Sequence, residues 1–123
     1  MAKKILVVDD NPDIIVAVKN GLESISGDYE VVGAENGMEC LEMLKTDNPD
    51  LVLLDIMMPE MSGWETFDKI KGNKNFGNIP VIFLTARTDN VAKKAGGFLG
   101  DDYIEKPFKI DDLKNRIEQV LKK

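Results

Sequence analysis

The sequence predicts an α/β fold, a doubly wound parallel sheet of five strands with helices on both faces. Short apolar runs alternate along the chain with segments whose apolar residues recur at helical spacing. The apolar runs are continuous, as is typical of parallel strands that are covered on both faces. A length of 123 residues suits one domain over 1–123, which can bury a core without disulfides.

The predicted elements alternate in order. Strands are expected at 5–8, 30–34, 51–54, 81–84 and 102–104. Helical stripes follow the first, second, third and fifth strands, at Ile14, Val18, Leu22 and Ile25, at Met38, Leu41 and Leu44, at Trp64, Phe67 and Ile70, and at Leu113, Ile117, Val120 and Leu121. A further helix is predicted at 91–98, after the fourth strand. Asn36-Gly37 and Asn48-Pro49 are the start and stop signals of the second helix.

The composition excludes several classes of function. No apolar run approaches the roughly 20 residues of a membrane span, and the N-terminus lacks a secretory signal, so we expect a cytoplasmic protein with no membrane partner. A net charge of −6 disfavours direct binding of nucleic acid. Cys40, the single cysteine, cannot form an internal disulfide and is expected to be buried. There is no histidine, so any phosphohistidine must come from a partner.

Polar side chains follow the predicted strands. They are Asp9 and Asp10 after the first, Asp55 after the third, Thr85 after the fourth and Lys106 after the fifth. The carboxyl ends of parallel strands form the edge of the sheet where ligands bind. An ionised Asp55 beside a buried strand requires a positive charge nearby. Oxygen ligands without histidine or cysteine favour Mg²⁺, and Lys106 adds a second positive charge, so this edge is expected to attract a phosphoryl group.

Four segments, in this order, resemble the receiver domain of two-component response regulators: ILVVDDNPD, NPDLVLLDIMMPEMSG, IPVIFLTA and DDYIEKPF. The resemblance covers essentially the whole chain. It implies a flavodoxin-like sheet of strand order 2-1-3-4-5, which places Asp9, Asp10 and Asp55 on neighbouring strands roughly 5 Å apart. It also implies a phosphorylation-dependent signalling switch, which catalyses only its own phosphotransfer and slow self-dephosphorylation.

The resemblance implies a role for each acidic residue. Asp55 resembles the phosphoacceptor, whose carboxylate takes a phosphoryl group from a sensor histidine kinase or a phosphotransfer protein. Asp9 and Asp10 resemble the acidic pair that holds Mg²⁺, together with Asp55 and the backbone carbonyl of Met57. The ion would offset charge on the phosphoryl oxygens during transfer.

Four residues around the fourth and fifth strands resemble the response machinery. Lys106 is similar to the lysine that pairs with the acquired phosphoryl group, and Pro107 to the family's cis proline. Thr85 resembles the hydroxyl that moves toward that group, and Tyr103 the aromatic switch that follows it. Phosphorylation is then expected to change the surface of the predicted fourth helix, fifth strand and last helix, to which a downstream protein or fused output domain binds.

The chain departs from the family pattern at three places. Between Thr85 and Tyr103 it is one residue shorter than usual, near Gly100, which affects the predicted fourth helix and the loop after it. Ser62 stands where the family commonly has Asp, with little expected consequence. Met57 is apolar and cannot orient a water molecule beside the nucleophile, which predicts slow loss of the phosphoryl group.

Other interpretations remain open from sequence. Asp9 could cap a helix, Thr85 and Tyr103 could be packing residues, and Lys106 a surface lysine. A haloacid-dehalogenase-like phosphohydrolase needs a second Asp two residues after Asp55, which this chain lacks. A flavodoxin-like FMN carrier needs a hydroxyl-rich loop where DDNPD is anionic. A receiver-like domain that binds partners without phosphorylation would not need the full set of site residues.

Overall fold

The computed structural model describes residues 2–25, 27–85 and 102–122. The strands are β1 (Lys3–Val8), β2 (Tyr29–Ala34), β3 (Leu51–Asp55), β4 (Val81–Thr85) and β5 (Asp102–Glu105). The helices are α1 (Pro12–Ile25), α2 (Gly37–Asp47), α3 (Gly63–Lys71) and a C-terminal helix (Ile110–Leu121). Every predicted strand falls within one of these strands, and the four apolar stripes fall within the helices. The predicted helix at 91–98 and the shortened region before Tyr103 lie outside the described residues.

The strands form one parallel sheet of order β2-β1-β3-β4-β5, which confirms the order that the resemblance implies. The register aligns the carboxyl ends of the central strands. Val8 lies opposite Leu54, and Asp55 lies opposite Leu84. The residues that follow β1, β3, β4 and β5 therefore meet at one edge.

Two apolar layers cover the two faces of the sheet. One lies under α2 and α3 and includes Cys40 and Phe67 from these helices. The other lies under α1 and the C-terminal helix and includes Leu22 and Leu113. Burying a side chain of this size stabilises the fold by about 1.5–3 kcal/mol, so these layers provide much of the driving force. No helix in the described part of the chain is long and apolar enough to cross a membrane.

Local signals set the helix boundaries. Asn36 caps α2, because its side chain accepts the Glu39 N–H at 2.8 Å. Asn48 ends α2 in the left-handed conformation, with a φ of 47°. Ser62 and Glu65 form a capping box at the start of α3, in which each side chain accepts the other residue's backbone N–H. Each cap satisfies backbone groups that have no partner within the helix.

Candidate functional site

Three carboxylates meet at the carboxyl edge of the sheet. Asp9 and Asp10 follow β1 and Asp55 ends β3, and one oxygen of each lies within 4.8 Å of the others. Asp9 is fully buried and Asp55 is 6% exposed, whereas Asp10 faces solvent. The cluster is therefore embedded in the edge of the sheet and opens to water on the Asp10 side.

Lys106, which follows β5, reaches into this cluster. Its Nζ lies 2.6 Å from Asp9 Oδ2 and 3.3 Å from Asp55 Oδ1. The lysine side chain is 23% exposed, so these pairs are shielded from water on most sides. Three carboxylates and one ammonium leave a net charge of minus two when all are ionised. That excess favours a divalent cation at this edge.

Backbone contacts fix the positions of these charges. The Asn11 N–H donates to Asp9 Oδ1 at 2.9 Å, so the Asp9 carboxylate also holds the turn before α1. The Asn11 side chain in turn accepts the Asp13 N–H at 2.9 Å. At the other side of the site, the Lys106 N–H donates to the Thr85 carbonyl at 2.6 Å. The Lys106-Pro107 peptide bond is cis, as the resemblance implies.

The electrostatic environment shifts two of the ionisable groups. Burial, and then the negative charge of Asp9, raise the pKa of Asp55 from its ordinary 3.8 to about 6, although Lys106 acts in the opposite direction. Burial alone would lower the pKa of Lys106. The hydrogen bond to Asp9 and the charges of Asp55 and Asp9 outweigh burial and raise it, so the amine stays protonated at neutral pH.

The Thr85 hydroxyl is unusual because it is buried without a hydrogen bond. Thr85 is fully buried at the end of β4, and its Oγ1 has no partner in the part of the chain that the structure describes. A buried hydroxyl without a partner destabilises a fold by about 1–3 kcal/mol, so such groups are rare.

Tyr103 lies on the same face of the sheet as Thr85. Thr85 pairs with Glu105 and Phe83 pairs with Tyr103, and residues two apart along a strand share a face. The Tyr103 side chain is partly buried and packs against the apolar layer under α2 and α3. Thr85 and Tyr103 are therefore diagonal neighbours on one face of the adjacent strands β4 and β5.

The donor set fits Mg²⁺. All three side chains offer oxygen, and their spacing lets one ion bind some directly and others through the waters that Mg²⁺ retains. Met57 is 67% exposed, so it is not part of the core. The backbone of Met57 belongs to the segment between β3 and α3, next to Asp55.

Sequence analysis missed one residue near the site. Gly63 begins α3 and is buried, and its N–H donates to the Ile56 carbonyl at 2.8 Å. The Ser-x-x-Glu pattern of Ser62 and Glu65 marks the start of this helix and could have directed attention to the glycine between them.

Comparisons with known proteins agree with this geometry. The response regulator receiver domain family matches residues 5–118. The alkaline phosphatase synthesis transcriptional regulatory protein PhoP of Bacillus subtilis is 38% identical over 100% of this chain and 50% of its own length. The "Probable cyclic di-GMP phosphodiesterase" of Vibrio cholerae is 44% identical over 95% of this chain and 26% of its own length. The chain thus spans half or less of the length of these two curated relatives.

A solved structure extends the comparison. The N-terminal receiver domain of a response regulator from Methanoculleus marisnigri is 44% identical, with a TM-score of 0.76 over 98% of this chain and 97% of that one. The parallel sheet, the acidic cluster and the lysine at its carboxyl edge, together with these matches, define a signalling domain of the receiver class. The chain belongs to the response regulator receiver domain family, whose members are phosphorylated by histidine kinases in two-component systems.

The raised pKa of Asp55 predicts that this carboxylate destabilises the metal-free protein. The folded state binds the Asp55 proton more tightly than the unfolded state, so ionisation opposes folding above about pH 6 and has no effect below about pH 4. Asp55→Asn should therefore raise the free energy of unfolding by up to about 3 kcal/mol near pH 8. Urea unfolding with a chelator present, from about pH 8 to about pH 4, measures this difference in the free energy of unfolding. The difference should decrease as the pH falls and vanish near about pH 4.

Asp68→Asn, an exposed position of α3, is the matched control and should change little across this pH range. A loss of stability in Asp55→Asn, or a gain that does not depend on pH, would contradict the prediction that the ionised Asp55 carboxylate destabilises the fold.

Proposed function

We propose that Asp55 accepts a phosphoryl group from a histidine kinase or phosphotransfer protein, and that this modification switches the surface that binds an output partner. The observation that carries the proposal is the placement of Asp55 3.3 Å from the Lys106 ammonium and beside Asp9 and Asp10. Family membership supports the same reaction class, since receiver domains are signalling domains.

The chemistry is nucleophilic attack by a carboxylate. An Oδ atom of Asp55 attacks the phosphorus of a phosphohistidine and forms a P–O bond, while the P–N bond breaks. The electron pair of that bond passes to the imidazole nitrogen, which takes up a proton. A pKa of about 6 leaves the Asp55 carboxylate mostly ionised at neutral pH, yet more basic than an ordinary aspartate.

Charge compensation comes from two sources. Asp9, Asp10, Asp55 and the Met57 carbonyl would hold Mg²⁺, which when bound offsets charge on the transferring phosphoryl oxygens. Lys106 already lies within reach of Asp55 and would contact the phosphoryl group from the side of β5. Receiver domains generally bind Mg²⁺ at an acidic pocket of this kind.

The site supports a signalling role rather than turnover of other substrates. A phosphohydrolase of the haloacid-dehalogenase type requires a general acid two residues after its nucleophile, and that position is Met57, whose side chain is apolar and exposed. The chain also matches only 26% of the length of the relative named as a phosphodiesterase. That activity is therefore not carried over to this domain.

The response to phosphorylation is proposed to pass through Thr85. An aspartyl phosphate carries about two negative charges and would accept hydrogen bonds from the Thr85 hydroxyl and from Lys106. Movement of Thr85 would open space for Tyr103 on the same face of the sheet. Shifting a population from 1:99 to 99:1 requires about 5.5 kcal/mol, more than these contacts provide, so an output partner supplies the rest.

Phosphorylation of Asp55 gives the most direct test. With Mg²⁺ and acetyl phosphate, the wild type should gain one phosphoryl group by intact mass, and a chelator should prevent the gain. Asp55→Asn should gain none, because the amide is not a nucleophile for phosphorus. Asp68→Asn, which alters an exposed carboxylate, should behave as the wild type. Modification of Asp55→Asn at the wild-type rate would refute the assignment of the phosphoacceptor.

Thr85→Val tests the proposed switch. Because the Thr85 hydroxyl has no hydrogen-bond partner among the described residues, its removal should leave the free energy of unfolding within about 1 kcal/mol of the wild type or raise it, and phosphorylation should persist. The two tyrosines, Tyr29 and Tyr103, can be labelled with fluorotyrosine. Phosphorylation should shift the fluorine signal of Tyr103 in the wild type. In Thr85→Val, most of this shift should be absent.

The core residue Tyr29 provides the internal reference for this measurement, and Thr46→Val on the exposed side of α2 is the matched control. A full Tyr103 response in Thr85→Val would show that the signal does not pass through the hydroxyl.

Met57 predicts a long-lived phosphoryl group. Its exposed thioether offers no group that could hold a water molecule in line with phosphorus, so the modified protein should persist for minutes or longer. Met57→Asn should shorten the half-life several-fold, and Met38→Asn, which changes another exposed methionine, should not. The half-life of the phosphoryl group in the wild type and in each variant can be measured by intact mass after the phosphodonor is removed. A wild-type half-life of seconds would contradict the prediction.

A further inference from the structure

The start of α3 is pressed against the peptide that carries Asp55. A Cβ atom added to Gly63 would meet the Asp55 carbonyl oxygen within van der Waals overlap, and would lie 2.7 Å from Ile56 Cα and 3.0 Å from the Asp55 carbonyl carbon. All three atoms belong to the backbone, which cannot rotate away as a side chain can. None of the described glycines has a positive φ. A glycine is therefore needed at position 63 because a Cβ atom would collide with the neighbouring backbone, and not because of its backbone conformation.

The segment between β3 and α3 is closed at this point. The Gly63 N–H donates to the Ile56 carbonyl at 2.8 Å, which joins the two ends of the segment 56–63. The capping box of Ser62 and Glu65 fixes the first turn of α3, and Thr66 Oγ1 donates to the Ser62 carbonyl at 2.9 Å. These hydrogen bonds hold the start of α3 in place, so a displacement at Gly63 would be passed on to the end of β3.

We propose that Gly63 is a positioning residue for the acceptor site, where the absence of a side chain lets α3 hold the Asp55 carboxylate and the Met57 carbonyl in place. The inference rests on the proposed function, because it assumes that these groups bind Mg²⁺ and accept a phosphoryl group. Gly63 acts through the backbone of Asp55 and Ile56 and touches neither the ion nor the phosphoryl group.

Two other glycines, Gly21 and Gly72, differ from Gly63 in what surrounds them. A Cβ at Gly21 would lie 2.6 Å from Ile110 Cδ1, the flexible end of a side chain. Gly72, at the opposite end of α3, has only the Asp68 carbonyl oxygen within reach, at 3.2 Å, and its φ of −79° suits any residue. Gly72→Ala is therefore the matched control, since it makes the same substitution at the C-terminal cap of the same helix, at the end away from the site.

The experiment compares Mg²⁺ affinity by calorimetry with stability by urea unfolding for the wild type, Gly63→Ala and Gly72→Ala. Gly63→Ala should weaken Mg²⁺ binding by about 10-fold or more, the usual effect of disturbing groups that orient metal ligands. Gly72→Ala should bind Mg²⁺ as the wild type does. Unchanged Mg²⁺ affinity in a folded Gly63→Ala protein would overturn the positioning role, even if the variant were less stable.

Amide hydrogen exchange of the wild type provides a second readout that does not need the variant to fold. Addition of Mg²⁺ should raise the protection of the Gly63 amide several-fold relative to the Gly72 amide, which bonds within α3. Equal changes at both amides would overturn the inference. If the wild type does not bind Mg²⁺ at all, the proposed function itself fails, whereas wild-type binding with an unaffected Gly63→Ala variant removes only the role of Gly63.

Discussion

The contact of one ammonium with two carboxylates is the interaction on which the site depends. Lys106 connects the end of β5 to Asp9 and Asp55, and it brings positive charge to an edge where negative charges gather. Without this charge, the buried carboxylates would repel one another at short range in a medium that screens poorly. Lys106 does not neutralise the cluster, and the remaining negative charge is the property that suits the edge to a divalent ion.

The sheet makes this crowding possible because its interior is rigid. The central strands are buried on both faces, and their register brings Asp55 level with the ends of β1 and β4. Side chains mounted on such strands keep their positions better than side chains on free loops. The raised pKa of Asp55 means that ionisation of this carboxylate opposes folding, because burial and the nearby negative charge of Asp9 disfavour its charged form.

Much of the architecture could be predicted because the signals for it are local. Continuous apolar runs identified the strands, and the asparagines at 36 and 48 identified both ends of α2. The meeting of Asp9, Asp10 and Asp55 followed once the strand order was known. The shortest lysine contact is to Asp9 rather than Asp55, which depends on side-chain rotamers that a sequence does not specify.

Features that arise from packing between distant segments were out of reach of sequence patterns. Within the described ranges the Thr85 hydroxyl has no hydrogen-bond partner, which depends on what surrounds the end of β4, and a threonine in a strand is otherwise ordinary. The close approach at Gly63 depends on how α3 meets β3, and a glycine after a serine has many possible causes. Both features require three-dimensional distances.

The ring contact between Trp64 and Phe83 has a practical consequence. The two ring centroids are 4.7 Å apart, and the indole belongs to the residue that follows Gly63 while its neighbour lies two positions before Thr85. Trp64 is the single tryptophan of the chain. Its fluorescence therefore originates between the start of α3 and β4, which makes the protein its own optical reporter without an added dye.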